Sequence, residues 1–170
     1  MDYSIIPASA DDVKEINDIL NYYIDTSGAN WGWYPRSVDD AISWYFSHDF
    51  SIHPIFVAKE ASGKVIGFAS LSPFRAKDGY WPVAENSLYL DKDYIRQKIG
   101  SELMKTLLDF AYESRLEVVT AWIDSENVSS IEFHKKWGFE IVGEMKNIGD
   151  KFNTRRSVTI MQLSVIKEEL

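Results

Sequence analysis

Val118–Ile123 (VVTAWI) is an almost wholly apolar, β-prone run, and a strand of that composition is stable only where both of its faces are covered. It implies a sheet with helices on either side. Upstream, Ile99, Leu103, Leu107, Phe110 and Ala111 recur at helical spacing from about Gln97 to Glu113, the longest amphipathic pattern in the chain. Downstream, Ser129 to Trp137 reads as a short helix closed by Gly138, a C-cap signal. The rest of the chain fills in around this unit.

Tyr3–Pro7 is a β-prone start, after which Ser9, Asp11 and Asp12 supply an N-cap and acidic first turn. A helix follows, with Val13, Ile16, Ile19, Leu20 and Tyr23 on its apolar face, until Thr26-Ser27-Gly28 ends it. An aromatic turn region, Asn30–Pro35 (NWGWYP), leads to a second helix from Ser37 to Phe46. Ile55–Lys59 and Val65–Leu71 form a hairpin about Ala61-Ser62-Gly63, and the polar excursion Arg75–Gly79 separates them from a strand at Ala84–Leu90. Strands at about Glu140–Met145 and Ser157–Leu163 close a single domain over residues 1–170, in the order β-α-α-β-β-β-α-β-α-β-β. This is a mixed α/β (α+β) layout.

Composition removes several function classes. The chain of 170 residues is 45% hydrophobic and 26% charged, ordinary for a folded domain. It has no cysteine, and His48, His53 and His134 lack paired-ligand spacing, so neither a thiolate chemistry nor a dedicated metal site is expected. Eighteen Lys and Arg against 26 Asp and Glu give a net charge of -8, which argues against nucleic acid as a partner. Met1–Ala10 lacks the basic start and apolar run of a signal peptide, and no apolar stretch reaches membrane-spanning length. A cytoplasmic protein with no membrane partner is the expectation, and the glycosylation pattern Asn127-Val128-Ser129 then has no use.

The element order, together with Asn21-Tyr22-Tyr23-Ile24, Thr26-Ser27, Pro73-Phe74-Arg75-Ala76, Tyr80 and Ala84-Glu85-Asn86-Ser87-Leu88-Tyr89-Leu90, resembles the phosphinothricin N-acetyltransferase branch of the GNAT superfamily. The likeness runs through nearly the whole chain. It implies a mixed central sheet of about seven strands with helices on both faces, acetyl-CoA as co-substrate, a small-molecule amine as acceptor and a homodimer. In that superfamily the acetyl-CoA phosphates rest on a [QR]-x-x-G-x-[GA] turn opening the long helix, where unpaired amides and the helix dipole favour an anion. Here the segment is Ile95-Arg96-Gln97-Lys98-Ile99-Gly100-Ser101, which keeps the final Gly and puts Lys98 where the first Gly is usual. Lys98 either crowds the phosphates or supplies them a cation. A one-residue deletion that returns Arg96 to the first motif position is a further alignment.

The same resemblance assigns Asn127 and Ser130 to the pantetheine arm and Lys136 to a phosphate, a surface lysine being the plainer reading of Lys136. It makes Glu85 the general base and His134 either the acid for the departing thiol or a group that orients the amine. Periodicity by itself reads Glu85, Ser87 and Tyr89 as one strand face opposite Asn86, Leu88 and Leu90, and permits a merely outward-facing glutamate. The backbone of Leu88, Tyr89 and Leu90 is expected to splay from its neighbour and polarise the thioester carbonyl. Arg75, Lys77 and Tyr80 fall where the branch binds an acidic substrate end, with Trp31, Trp33 and Trp81 as residues of the pocket wall, of a dimer contact or of the core. Arg155-Arg156-Ser157-Val158 departs from the branch pattern before the last strand, so the acceptor is open: an amino acid or analogue such as phosphinothricin or methionine sulfoximine, another amine, or none in an acyl-CoA-binding module.

Overall fold

The computed structural model describes residues 2–166. Seven strands form one sheet in the order β1-β2-β3-β4-β5-β7-β6: β1 (Tyr3–Pro7), β2 (Ile55–Glu60), β3 (Val65–Pro73), β4 (Val83–Leu90), β5 (Val118–Asp124), β6 (Glu140–Lys151) and β7 (Thr154–Ser164). All neighbours are antiparallel except β4 and β5. That parallel pair needs a crossover, which is why the longest helix lies between them in sequence.

The helices are α1 (Val13–Thr26), α2 (Val38–Phe46), α3 (Ile99–Glu113) and α4 (Val128–Lys136). One face of the sheet packs Val57, Val65 and Phe68 against Val13, Ile16 and Ile19 of α1 and Ala41 and Tyr45 of α2. The other packs Ala69, Leu71, Ala84, Val119 and Ala121 against Leu103, Met104 and Leu107 of α3 and Ile131 of α4. Helices on both faces account for the apolar β5 run, in which Val119 and Ala121 are fully buried. Local signals act as read: the Ser37 side chain accepts from the Asp40 amide at 3.1 Å, and Gly138 follows α4 at φ +88°, a conformation glycine takes freely.

Three differences from the sequence reading bear on the site. The long helix opens at Ile99 and not at Gln97, because Lys98 is left-handed at φ 68° and cannot continue it. Helix α4 is shifted one residue early, to Val128–Lys136, because Asn127 is its cap. The last two strands extend to Lys151 and from Thr154, joined through Phe152 and Asn153, both at positive φ. The added length carries Gly149 and Lys151 onto the loop after α1.

Candidate active site

The parallel ladder between β4 and β5 is short. It runs Val83↔Val118, Ala84↔Val119 and Glu85↔Thr120. Beyond that rung β4 pairs only with β3, through Gly67↔Leu90, and β5 only with β7. The two strands therefore part at Glu85, and the β4 edge from Asn86 to Leu90 presents backbone donors and acceptors to the gap. Leu88, Tyr89 and Leu90 all lie along this edge, at whose end the Leu90 carbonyl accepts from the Tyr23 hydroxyl at 2.7 Å.

Past Leu90 the chain makes a short turn and reaches the start of α3. Arg96 at φ 61° and Lys98 at φ 68° are both left-handed. A non-glycine residue in that conformation is strained by about 1 kcal/mol, and the return is a concave run of amides of the kind that holds anions. The Ser101 and Glu102 amides return to the Lys98 carbonyl at 2.9 and 3.1 Å. No side chain caps the helix, so the Ile99 and Gly100 amides lack an intrahelical acceptor. Arg96, Gln97, Lys98 and Ser101 are exposed. Lys98 thus takes the backbone shape a glycine would take there and turns its side chain to solvent, rather than filling the turn. The free edge and the open helix terminus fit the arm and the phosphates of acetyl-CoA respectively.

Glu85 projects from β4 toward the α1/α2 side, sharing that face with Tyr89, whose ring lies 5.6 Å from Phe68 and 5.3 Å from Tyr23. Burial pushes the Glu85 carboxyl up, and the Arg75 guanidinium pulls it partly back. Arg75 lies over the rings of Phe74 and Trp122 at 4.7 and 5.0 Å and has no acidic side chain within ion-pair distance among the described residues. Tyr80 packs edge-on against Phe74 at 5.5 Å, and together with Lys77, Trp81 and His53 lines a cleft of about 170 Å³ beside Arg75. The Trp31 indole donates to Asp124 at 2.9 Å, at the far end of β5.

Asp124 and Lys151 are residues the sequence reading missed. Asp124 accepts from Trp31, faces Arg156 at 3.4 Å, and is itself almost fully buried. Arg156 also pairs with Glu126, so this departure from the branch pattern is neutralised internally. The Lys151 ammonium, 2% exposed, donates to the carbonyls of Ile24 and Gly32, and burial pulls it below its usual range. Trp33 donates to the Asp150 carbonyl at 2.9 Å, and Gly149 has no side chain because Trp31 lies over it. The β6–β7 tip thereby fixes the loop after α1. A charged residue ending the VVTAWID run was the available signal for Asp124; nothing local marks Lys151 as buried.

On the α3/α4 side stand Asn86 and His134. His134 Nδ1 is 2.8 Å from the Ser130 carbonyl, and Nε2 is 3.2 Å from Asn86 Nδ2. Burial lowers the imidazole pKa, partly offset by the Ser130 contact. Glu85 and His134 are thus on opposite sides of β4 and do not form a side-by-side pair. Asn127 caps α4, its Oδ1 accepting from the Ser130 amide at 3.2 Å. Lys136 is exposed at the far end of that helix. Among the described residues no group of three or more His, Cys, Asp or Glu is arranged to hold a metal ion, and no helix is long and apolar enough to cross a membrane.

The chain is 33% identical over 165 residues to L-methionine sulfoximine/L-methionine sulfone acetyltransferase of Pseudomonas aeruginosa, covering 97% of this chain and 96% of that one. Its fold superposes on yncA of Salmonella typhimurium, solved with its cofactor acetyl-CoA, with a TM-score of 0.93 at 28% identity, covering 100% and 98% of the two chains. A phosphinothricin acetyltransferase from Sinorhizobium meliloti, in complex with acetyl-CoA, gives 0.91 at 27% identity over 96% and 89%. The Acetyltransferase (GNAT) family model matches residues 16–139, which take in most of α1, the parting of β4 and β5, the open α3 terminus and α4, and the chain belongs to that family.

Proposed function

We propose that this enzyme transfers the acetyl group of acetyl-CoA to the amino group of a small amino acid or amino-acid analogue, with Glu85 as general base. One observation carries the reading: Glu85 is the last β4 residue paired with β5, so its carboxyl stands where the two strands separate. Acetyl-CoA, when bound, supplies an activated thioester; the remaining work falls to the chain. The open α3 terminus from Ile99 to Ser101, flanked by Arg96, Gln97 and Lys98, takes the phosphates, and the free edge Leu88–Leu90 takes the arm. Ser130 borders the arm from α4, where Asn127 contributes chiefly as a cap.

An amine is mostly protonated near neutral pH and must lose a proton before it attacks. A carboxylate raised by burial is a stronger base than a solvated one, and Glu85 meets that description. Arg75, without an acidic partner among the described residues and stacked on two aromatic rings, suits the acidic end of an amino acid, with Lys77 and Tyr80 at the rim of its cleft, while Trp31 is held away from that cleft by Asp124. Methionine sulfoximine, methionine sulfone and phosphinothricin, substrates named for the relatives, share that pairing of an amino group with an acidic end.

We assign the enzyme to the cytoplasm as a homodimer. The absence of cysteine suits a reducing compartment, and edge strand β6 exposes Ile141, Val142, Met145 and Ile148, a surface that association would cover. Light scattering giving a monomer's mass would remove the dimer. The function is tested by an amine panel with thiol detection. Release of coenzyme A with methionine sulfoximine or phosphinothricin supports it, whereas release only with polyamines or peptide N-termini moves the acceptor to another class.

A further inference from the structure

Asn86 and His134 are buried polar side chains, 8% and 5% exposed, that meet each other at 3.2 Å, and His134 also meets the Ser130 carbonyl at 2.8 Å and the Ser130 hydroxyl at 3.5 Å. A carbonyl oxygen only accepts, so the 2.8 Å contact with Ser130 O means that His134 Nδ1 carries hydrogen. Burial disfavours the imidazolium, which leaves Nε2 as a bare lone pair. Asn86 Nδ2 and Oδ1 lie 3.2 and 3.3 Å from that nitrogen, and only Nδ2 has a proton to offer it. One Nδ2 hydrogen is thereby engaged. Oδ1 meets a lone pair it cannot bond, and the second Nδ2 hydrogen has no acceptor among the described residues. A buried polar group left in this state costs about 1–3 kcal/mol unless a ligand completes it.

The location says which ligand. Asn86 is the first β4 residue beyond the Glu85↔Thr120 rung, and its side chain points to the α3/α4 face, opposite Glu85. The acceptor amine comes from the Glu85 side; the thioester carbonyl, in the gap, has Asn86 on its other side. The geometry points to Asn86 as a catalytic residue whose second amide hydrogen donates to the thioester carbonyl oxygen, with His134 as the positioning residue that accepts the first. No proton is transferred by either group: the donated hydrogen bond strengthens as negative charge gathers on the oxygen. His134 in this arrangement is an acceptor and does not protonate the departing thiol. The inference rests on the reading that acetyl-CoA occupies the β4–β5 gap.

The test has a spectroscopic and a kinetic arm. Long-range proton–nitrogen spectra should show His134 as the neutral Nδ1–H tautomer, and acetyl-CoA added without acceptor should shift one Asn86 side-chain amide proton. Asn86→Ala should lower turnover about 100-fold while KM for acetyl-CoA stays within about threefold. His134→Gln, whose side-chain carbonyl accepts the same amide hydrogen, should remain within about fivefold of wild type, and His134→Phe should fall as far as Asn86→Ala. If Asn86→Ala does not fold, Asn86→Ser and the spectra carry the test. An Nε2–H tautomer or imidazolium, equal loss in His134→Gln and His134→Phe, or an unmoved Asn86 amide with acetyl-CoA bound by calorimetry each overturns the inference alone. Calorimetry showing no acetyl-CoA bound to wild type would instead remove the cofactor reading beneath it.

Discussion

The two sides of β4 are built for different work. Toward α1 and α2 the proposed chemistry is carried by side chains: a Glu85 carboxyl raised by burial and an Arg75 guanidinium stacked over Phe74 and Trp122. Toward α3 and α4 it is carried largely by backbone, namely the unpaired edge of β4 and the amides that open α3. The two helix starts on that second side sharpen the contrast. Helix α4 is closed by its own residue, with Asn127 accepting from the Ser130 amide, whereas α3 has no side-chain cap and begins from two strained left-handed residues. Stability is taken up at α4 and forgone at α3, a pattern expected where amides are kept free for a ligand.

The largest expected effect is on the side-chain face. Glu85→Gln should reduce kcat about 10²–10⁴-fold at neutral pH. Because burial raises the Glu85 carboxyl, the acid limb of wild-type kcat/KM should lie above the ordinary carboxylate value of 4.5 and vanish in the variant, with activity partly recovered as rising pH supplies neutral amine. A limb that persists unchanged would take the base role from Glu85. Next, Arg75→Met should raise KM for an acidic amino acid about tenfold or more, and leave KM for an amine without an acidic group nearly unchanged; equal effects on both would assign Arg75 to packing.

On the backbone face the effects are smaller. Lys98→Asp would set a negative charge beside the open α3 terminus in place of a positive one, and should weaken acetyl-CoA binding about tenfold. Lys98→Gly should relieve the left-handed strain, stabilise the fold by about 1 kcal/mol and keep acetyl-CoA affinity within about threefold. A large loss of affinity in Lys98→Gly would mean that the ammonium, rather than the turn, holds the phosphates. Asn127→Ala should lower stability by about 1 kcal/mol, read from denaturant unfolding.

The same division explains what was legible in the sequence. Side-chain signals carried the strands and helices well, since period 2 at Ala84–Leu90 and helical spacing in α1 and α3 follow from burial of one face. The base role proposed for Glu85 comes from the resemblance; periodicity alone favours a merely outward-facing residue. The shortness of the β4–β5 ladder leaves no trace in either strand, because backbone pairing between distant segments is decided by packing. Lys98 stood as a departure from a motif, and its exposed side chain and left-handed backbone emerge only in three dimensions. Lys151 reads as one more charge near a turn, although it is buried and bonded to two carbonyls on the far side of the site. Asn86 did carry a signal, a polar residue on the same strand face as Leu88 and Leu90.

A crystal structure with acetyl-CoA bound is the most direct measurement. The account predicts the diphosphate within hydrogen-bonding distance of the Ile99 and Gly100 amides, the arm along the Asn86–Leu90 edge, and the thioester between Glu85 and Asn86. Nucleotide bound away from the α3 terminus, or β4 and β5 zipped together past the Glu85↔Thr120 rung with the arm elsewhere, would contradict it.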